Sequence, residues 1–288
     1  SKEQTLAPDE LIIVDGGSTD GTLDKLHELA QTFQPPTKVT LLQKAGNRSV
    51  GRNEAISHAT GDIIVCTDAG CFPEKKWIAE IVKPFSDPVI DVVAGYYEAK
   101  TETVFQECLV PFVFVMPDKI RASKFLPATR SMAFKKTIWE QVGRFPEEYS
   151  HNEDYVFARR LRAMDAKISF HKEAIVYWIP RKTFAQAYNM FYRFALGDAE
   201  SGMHRPKVYL VFARYILGLV LLLTAILLNS VLLYALCAML FAAYIAWAIA
   251  KNWRYVDEIP ALYYLPALQF TVDAAVLTGS IRGFFNHH

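Results

Sequence analysis

The chain has 288 residues, 52% hydrophobic and 21% charged, with 31 Lys+Arg against 30 Asp+Glu and a formal net charge of +1. That balance gives no hint of a nucleic-acid partner, and a positive mean hydropathy at this length excludes one simple soluble domain. The apolar excess is concentrated, because no charged residue and no histidine occurs from Tyr215 to Ala250.

The first element is Leu11-Ile-Ile-Val-Asp15, a mostly β-branched apolar run ending in a carboxylate, which reads as a buried strand. Gly16, Gly17, Ser18, Thr19 and Asp20 then form a turn, and Leu23, Leu26, Ala30 and Phe33 mark a helix over 22–33. In an open α/β sheet, ligands bind where strand carboxyl ends meet helix N-termini. Asp15 lies at such a mouth, the glycines let backbone approach a ligand, and Ser18, Thr19 or Asp20 supplies the cap.

Pro35-Pro36 ends this unit, Val39 to Gln43 reads as a second strand, and Val50 to Ala59 as a helix. Ile63 to Asp68 repeats the opening theme of a buried strand that ends in an aspartate. Two such strands, each followed by a helical pattern, predict a parallel α/β sheet with both acids at one edge. A helix is expected over Pro73 to Lys83, a strand over Asp91 to Tyr97, and a loop-to-strand passage from Phe125 through Arg130 and Ser131 to Phe134. A short helix over Lys136 to Val142 follows, then a helix opening at Glu153 and Asp154, whose carboxylates complement the dipole, and a strand over Lys167 to Trp178.

Phe184 to Leu196 is aromatic and suits a helix at a membrane interface. The uncharged run from Tyr215 to Ala250 exceeds the roughly 20 residues one crossing needs, and Asn229-Ser230 divides it into two spans. A third apolar stretch, Ile259 to about Ser280, carries Asp273, which is costly in lipid unless partnered. Arg193, Arg205, Lys207 and Arg214 precede the first span, and Lys251 and Arg254 follow the second. The positive-inside rule places these flanks and the N-terminal region in the cytoplasm. Cys66, Cys71, Cys108 and Cys237 show no metal-ligand spacing and need no pairing, which fits a reducing compartment.

The order of these pieces resembles membrane-tethered family 2 glycosyltransferases of the GT-A fold. The matching segments are Asp15-Gly-Gly-Ser-Thr-Asp-Gly-Thr, Gly51-Arg52-Asn53-Glu-Ala with Gly61-Asp62, Thr67-Asp68-Ala-Gly-Cys71, Arg130-Ser131, Gly143 after Trp139, and Asn152-Glu153-Asp154. The resemblance implies an α/β fold: a Rossmann-like, mostly parallel sheet flanked by helices, followed by C-terminal transmembrane helices. It implies a nucleotide-sugar-binding catalytic domain over 1–182, an amphipathic interfacial segment over 183–207 and a membrane region with two to three transmembrane helices over 208–288.

It also implies roles. Asp15 and Gly17 meet the base or ribose of a nucleotide-sugar donor, Arg52 and Asn53 line the nucleotide pocket, and Arg130 and Ser131 contact substrate. Asp68 stands where the family's Asp-x-Asp motif begins and holds a divalent cation, Mn2+ or Mg2+, on the donor diphosphate. Asp154 matches the general base and Glu153 its acidic neighbour, for an inverting attack by a lipid-linked or saccharide acceptor at the cytoplasmic face of a cell membrane.

Three departures accompany the resemblance. Gly70 replaces the second metal aspartate, so either Asp68 binds the cation with waters and phosphate oxygens or another residue such as His171 or His204 helps. The Gln-x-x-Arg-Trp motif of processive synthases is absent, since only Tyr192-Arg193-Phe194 stands there, which points to addition of one sugar at a time. The family's usual strand and helix before Leu11 have no counterpart, and the expectation is a chain less stable than a full-length homologue. A catalytically impaired nucleotide-sugar-binding membrane protein is the alternative. A dinucleotide oxidoreductase lacks the Gly-x-Gly-x-x-Gly spacing, and a three-span transporter does not explain acids in the polar region.

Overall fold

The computed structural model describes residues 3–33, 35–203 and 205–286. In chain order the elements are β1 (Glu10–Asp15), α1 (Thr22–Ala30), β2 (Lys38–Gln43), α2 (Arg48–His58), β3 (Ile63–Cys66), β4 (Cys71–Pro73), α3 (Trp77–Val82), β5 (Val92–Ala99), α4 (Val104–Val113), β6 (Met132–Lys135), α5 (Lys136–Gln141), α6 (Glu153–Ala163), β7 (Ile168–Trp178), α7 (Phe184–Glu200), α8 (Pro206–Leu227), α9 (Val231–Trp253) and α10 (Ala261–Asn286). They divide into two compact units, one of Ser1–Lys100 with Pro117–Ile179, the other of Thr101–Met116 with Pro180–His288. Helix α4 therefore belongs with the C-terminal helices, an excursion that a linear boundary near residue 182 does not separate.

In the first unit β1 and β2 form a parallel pair, and a second sheet has the order β3-β6-β5-β7-β4. The expected mostly parallel sheet holds for the two long ladders, β1 with β2 and β5 with β7. It is corrected at the short ones, because β6 runs antiparallel to both neighbours and β4 runs antiparallel to β7. Among the described residues no strand joins β1 to β3, so Asp15 and Asp68 follow strands of different sheets.

Alternation along the central strands builds the core on both faces. Ile64, Val92, Met132 and Phe134 pack with Ile56, Ile138, Trp139, Phe145, Phe157 and Leu161 on one side. Val93, Ala133, Ala174 and Val176 pack with Trp77, Ile78 and Ile81 of α3 on the other. Pro73 does not open a helix as expected. It closes β4, opposite Val176, and α3 starts at Trp77. A residue without an N–H fits a terminal strand of the sheet, where one side of the backbone has no ladder to feed.

The second unit is helical. Thr103 and Thr183 each accept a hydrogen bond from the backbone N–H of the glutamine three residues on, Gln106 and Gln186. Those glutamine side chains accept in turn from Glu102 N and Lys182 N, the residues before the caps, so two reciprocal variants of the capping box start α4 and α7. Helix α7 runs to Glu200, beyond the expected Leu196, because α10 packs along it. A Cβ at Gly279 would stand 2.5 Å from the Tyr192 carbonyl oxygen, and one at Gly283 2.6 Å from the Ala199 Cβ, so the two backbones meet through glycines one turn apart.

Among the described residues two helices, α8 and α9, are long and apolar enough to cross a membrane. The third apolar stretch is helical too, but its Asp273 is buried against its neighbours. It accepts hydrogen bonds from Arg214 and Tyr215 on α8, Tyr244 on α9 and Gln269 on α10 itself. A partnered carboxylate between helices is the condition under which an apolar environment tolerates one.

Candidate active site

The site forms where three loops of the first unit meet helix α2. Asn47 caps α2, its Oδ1 accepting from Val50 N at 3.1 Å, while its Nδ2 donates to the carbonyl oxygens of Glu147 and Tyr149 at 2.7 and 3.2 Å. Asn53 fixes the same loop again: it donates to the Phe145 carbonyl at 2.8 Å and accepts from the Phe145 N–H at 3.0 Å and the Trp139 indole at 3.2 Å. One face of α2 is thus tied to the segment that leads into α6. Arg52, beside Asn53, is thereby aimed at the first turn of α6.

Its guanidinium bridges two carboxylates. Arg52 Nη1 lies 2.7 Å from Glu153 Oε1 and Nη2 lies 2.7 Å from Asp68 Oδ1. Arg48, one turn earlier, holds the other Glu153 oxygen at 3.2 Å. Burial alone disfavours the charged guanidinium, and the charges of Asp68 and Glu153 outweigh it, so Arg52 is held firmly protonated.

Asp154 is the neighbouring acid on α6. Burial raises its pKa first, the negative charges of Glu153 and Asp68 raise it further, and Arg52 and Arg130 pull the other way. Arg130 lies with its guanidinium carbon 4.9 Å from the Trp178 ring centre and 5.5 Å from that of Tyr97. Its carbonyl accepts from Thr67 Oγ1 at 3.0 Å, which ties the loop after β3 to the loop before β6.

Of the residues expected from sequence, Arg52, Asp68, Arg130, Glu153 and Asp154 come together. Asp15 ends β1, where Val14 packs against Gly51, the residue before Arg52. Its Oδ2 accepts from Gly17 N and Ser18 N, both at 3.0 Å, and hydrogen bonds from Ser18 hold its carboxyl below the usual range. Gly17 therefore serves Asp15 through its backbone.

Two expected contact residues have their polar atoms committed elsewhere. Asn53 is buried among the bonds just described. Ser131 is fully buried, its Oγ donating to the Ala174 carbonyl at 3.0 Å and accepting from the Trp77 indole at 2.8 Å. Both hold the frame of the site instead of facing into it. His171 is likewise corrected as a metal helper, because its Nε2 sits 2.9 Å from Glu80 Oε2. His204 lies outside the described residues.

Trp178 and Tyr97 were missed, because aromatic residues near the ends of apolar strands read as core. Gly70 has φ +85°, a left-handed conformation that aspartate adopts only at a cost. Among the described residues no cluster of three His, Cys, Asp or Glu side chains could hold a metal ion. At the turn that holds Gly70, Asp68 offers a single hard oxygen donor, which fits a cation that keeps waters and shares phosphate oxygens rather than a resident, fully caged one. The nearby Cys66 and Cys71 thiols are pushed up by burial to about 12 and about 11, which leaves them protonated and poor nucleophiles.

Residues 1–130 match the model of Glycosyl transferase family 2. The O-antigen chain rhamnosyltransferase RfbN of Salmonella typhimurium is 26% identical over 204 residues, 65% of this chain and 64% of that protein. Glycosyltransferase AglE of Haloferax volcanii is 21% identical over 207 residues, covering 71% of this chain and 67% of the relative. In structure, the mannosyltransferase PcManGT from Pyrobaculum calidifontis, in complex with GDP-Man and Mn2+, superposes with a TM-score of 0.71 at 20% identity, over 100% of this chain and 81% of that one. Over residues 1–130 the chain matches family 2 glycosyltransferases, and its fold is that of the GT-A-like mannosyltransferase. Its alignment spans 64% of the length of the rhamnosyltransferase.

Proposed function

We propose that the chain is an inverting, non-processive glycosyltransferase that moves a sugar from a nucleotide-diphosphate donor to a lipid-linked or saccharide acceptor at the cytoplasmic face of the cell membrane. The observation that carries this reading is Asp154, an acid of raised basicity set beside the Arg52 bridge between Asp68 and Glu153. A general base works best when its pKa approaches the working pH, and the burial and like charge around Asp154 move it in that direction.

In this reading Asp154 takes the proton from an acceptor hydroxyl as that oxygen attacks the anomeric carbon from the face opposite the diphosphate. Arg52 and Arg130 place positive charge where the leaving diphosphate gathers negative charge. Glu153 acts through Arg52, since both its oxygens are paired with arginines. Asp15, fixed by its own loop, meets the base or ribose. Asp68 is the residue that would hold a divalent cation, whose chemistry is to neutralise the diphosphate as it leaves.

The GDP-Man and Mn2+ of the archaeal mannosyltransferase support a nucleotide sugar with a cation, and the O-antigen rhamnosyltransferase supports a saccharide acceptor. Helices α8 and α9 supply the hydrophobic length for membrane attachment, and the basic residues at their ends support a cytoplasmic face.

The test is transfer itself. Membrane-embedded chain is incubated with a panel of nucleotide sugars and hydroxyl-bearing or phosphate-bearing lipid acceptors, and the product anomer is read by NMR. Inverted product supports the proposal; retained configuration contradicts inversion. Tight nucleotide binding with neither transfer nor donor hydrolysis favours a binding protein that has lost turnover.

A further inference from the structure

We propose that Arg52 serves as a built-in stand-in cation at Asp68, and that it yields this carboxylate only when a nucleotide diphosphate and a divalent metal ion arrive together. The inference rests on the proposed function and adds an order of events to the same site.

The two partners of Arg52 are unequal. The Glu153 side chain is 4% exposed and shared with Arg48, whereas that of Asp68 is 29% exposed and, among the described residues, pairs with Arg52 alone. Breaking the bond to Glu153 leaves a buried carboxylate short of charge compensation, which is strongly unfavourable. The bond to Asp68 faces solvent, and water can share the cost of opening it. When Arg52 moves, it moves from Asp68.

It cannot leave Asp68 empty-handed. Glu153, Asp154 and Asp68 form a group of acids that the positive charge of Arg52 offsets, as the charge contributions at Asp154 show. An exchange keeps that balance: the freed guanidinium edge takes a diphosphate oxygen, a strong charge-assisted partner, while a cation carried by the same diphosphate takes Asp68. A metal ion without the nucleotide gains one carboxylate, must evict an arginine to reach it, and finds no second acid at Gly70.

The structure therefore assigns to Arg52 a weak affinity of the free protein for metal, strongly coupled to nucleotide binding. Coupling of this kind is reciprocal. Its origin in Arg52, as distinct from direct metal–phosphate contact, is tested by measuring metal binding with no nucleotide present.

The experiment titrates full-length protein in detergent with Mn2+ and reads free metal by electron paramagnetic resonance, without and with a nucleoside diphosphate. Wild type is compared with Arg52→Lys, whose compact ammonium cannot span both carboxylates, and with Arg52→Gln/Glu153→Gln, which replaces the buried ion pair by a neutral one. Arg48→Gln is the control, since it removes a nearby cation that does not touch Asp68. The expected result is nucleotide-free Mn2+ binding at least about tenfold tighter in both Arg52 variants, equivalent to about 1.4 kcal/mol, and little changed in Arg48→Gln. Equal metal affinity in wild type and Arg52→Lys overturns the inference, as does an equal gain in Arg48→Gln. If wild type binds nucleoside diphosphate with Mn2+ while those results appear, the transferase reading stands without the inference. If no nucleotide binds under any condition, both fall.

Discussion

Asn53 satisfies both backbone groups of Phe145, accepting from its N–H at 3.0 Å and donating to its carbonyl at 2.8 Å. One buried amide thus registers α2 against the loop that delivers Glu153 and Asp154, and the whole charged site depends on that register. Replacing Asn53 by Ala leaves a buried N–H and a buried C=O without partners, and each such orphan costs about 1–3 kcal/mol. Asn53→Ala is expected to lower the thermal midpoint sharply and to abolish activity together with stability. An unaltered melt with lost nucleotide affinity would instead return Asn53 to the pocket lining.

Asp154→Asn separates chemistry from folding. Its folded-state pKa lies above the unfolded value, so its ionisation weakens the fold as pH rises through that raised pKa, and the cost is absent below the ordinary aspartate range. The amide removes the cost. At pH 8 the variant is expected to melt no lower than wild type, with that advantage fading in acid. Transfer to a hydroxyl acceptor is expected to fall by about 10²–10⁴-fold. The acid limb of the wild-type rate profile should lie above the ordinary aspartate pKa of about 3.9. A phosphate acceptor is already anionic, and with it the loss should be much smaller.

Arg130 is held against two aromatic faces, and such contacts contribute about 0.5–2 kcal/mol each. Trp178→Ala is expected to raise the KM for the donor or acceptor by roughly tenfold with a smaller change in kcat, and Trp178→Phe to recover most of the loss. Equal KM in wild type and Trp178→Ala would show that the stacking does not position Arg130.

In the helical unit, glycines divide by their surroundings. A Cβ at Gly279 collides with the Tyr192 carbonyl, whereas one at Gly218 in α8 meets nothing within 4 Å. Gly218→Ala gains helix propensity of up to about 1 kcal/mol and should be neutral or stabilising. Gly279→Ala must push α7 and α10 apart and should destabilise, as thermal melts in detergent can compare directly.

Much of this site was legible because its acids sit at strand ends and helix starts, where sequence pattern and ligand chemistry coincide. Asp68 follows an apolar run, and Glu153 with Asp154 opens α6, so both could be placed before any coordinates. Asn53 and Ser131 were harder, since a polar residue that ties a buried loop and one that faces a ligand are spelled alike. Tyr97 and Trp178 carried the opposite ambiguity, being site residues written as core. Helix α4 went unread even though Thr103 and Gln106 spell a capping box, because Pro111 within it obscured the helical pattern. The antiparallel β6 was also invisible: a four-residue strand alternates too briefly to show its direction.

The measurement that tests the central claim most directly is calorimetric titration of a panel of nucleoside diphosphates into wild type and Asp68→Asn, with and without Mn2+. The account predicts binding of at least one nucleotide that strengthens with Mn2+, and loss of that strengthening in Asp68→Asn. Binding indifferent to both metal and Asp68 would place the nucleotide away from the acids joined by Arg52, and would contradict the site proposed for this chain.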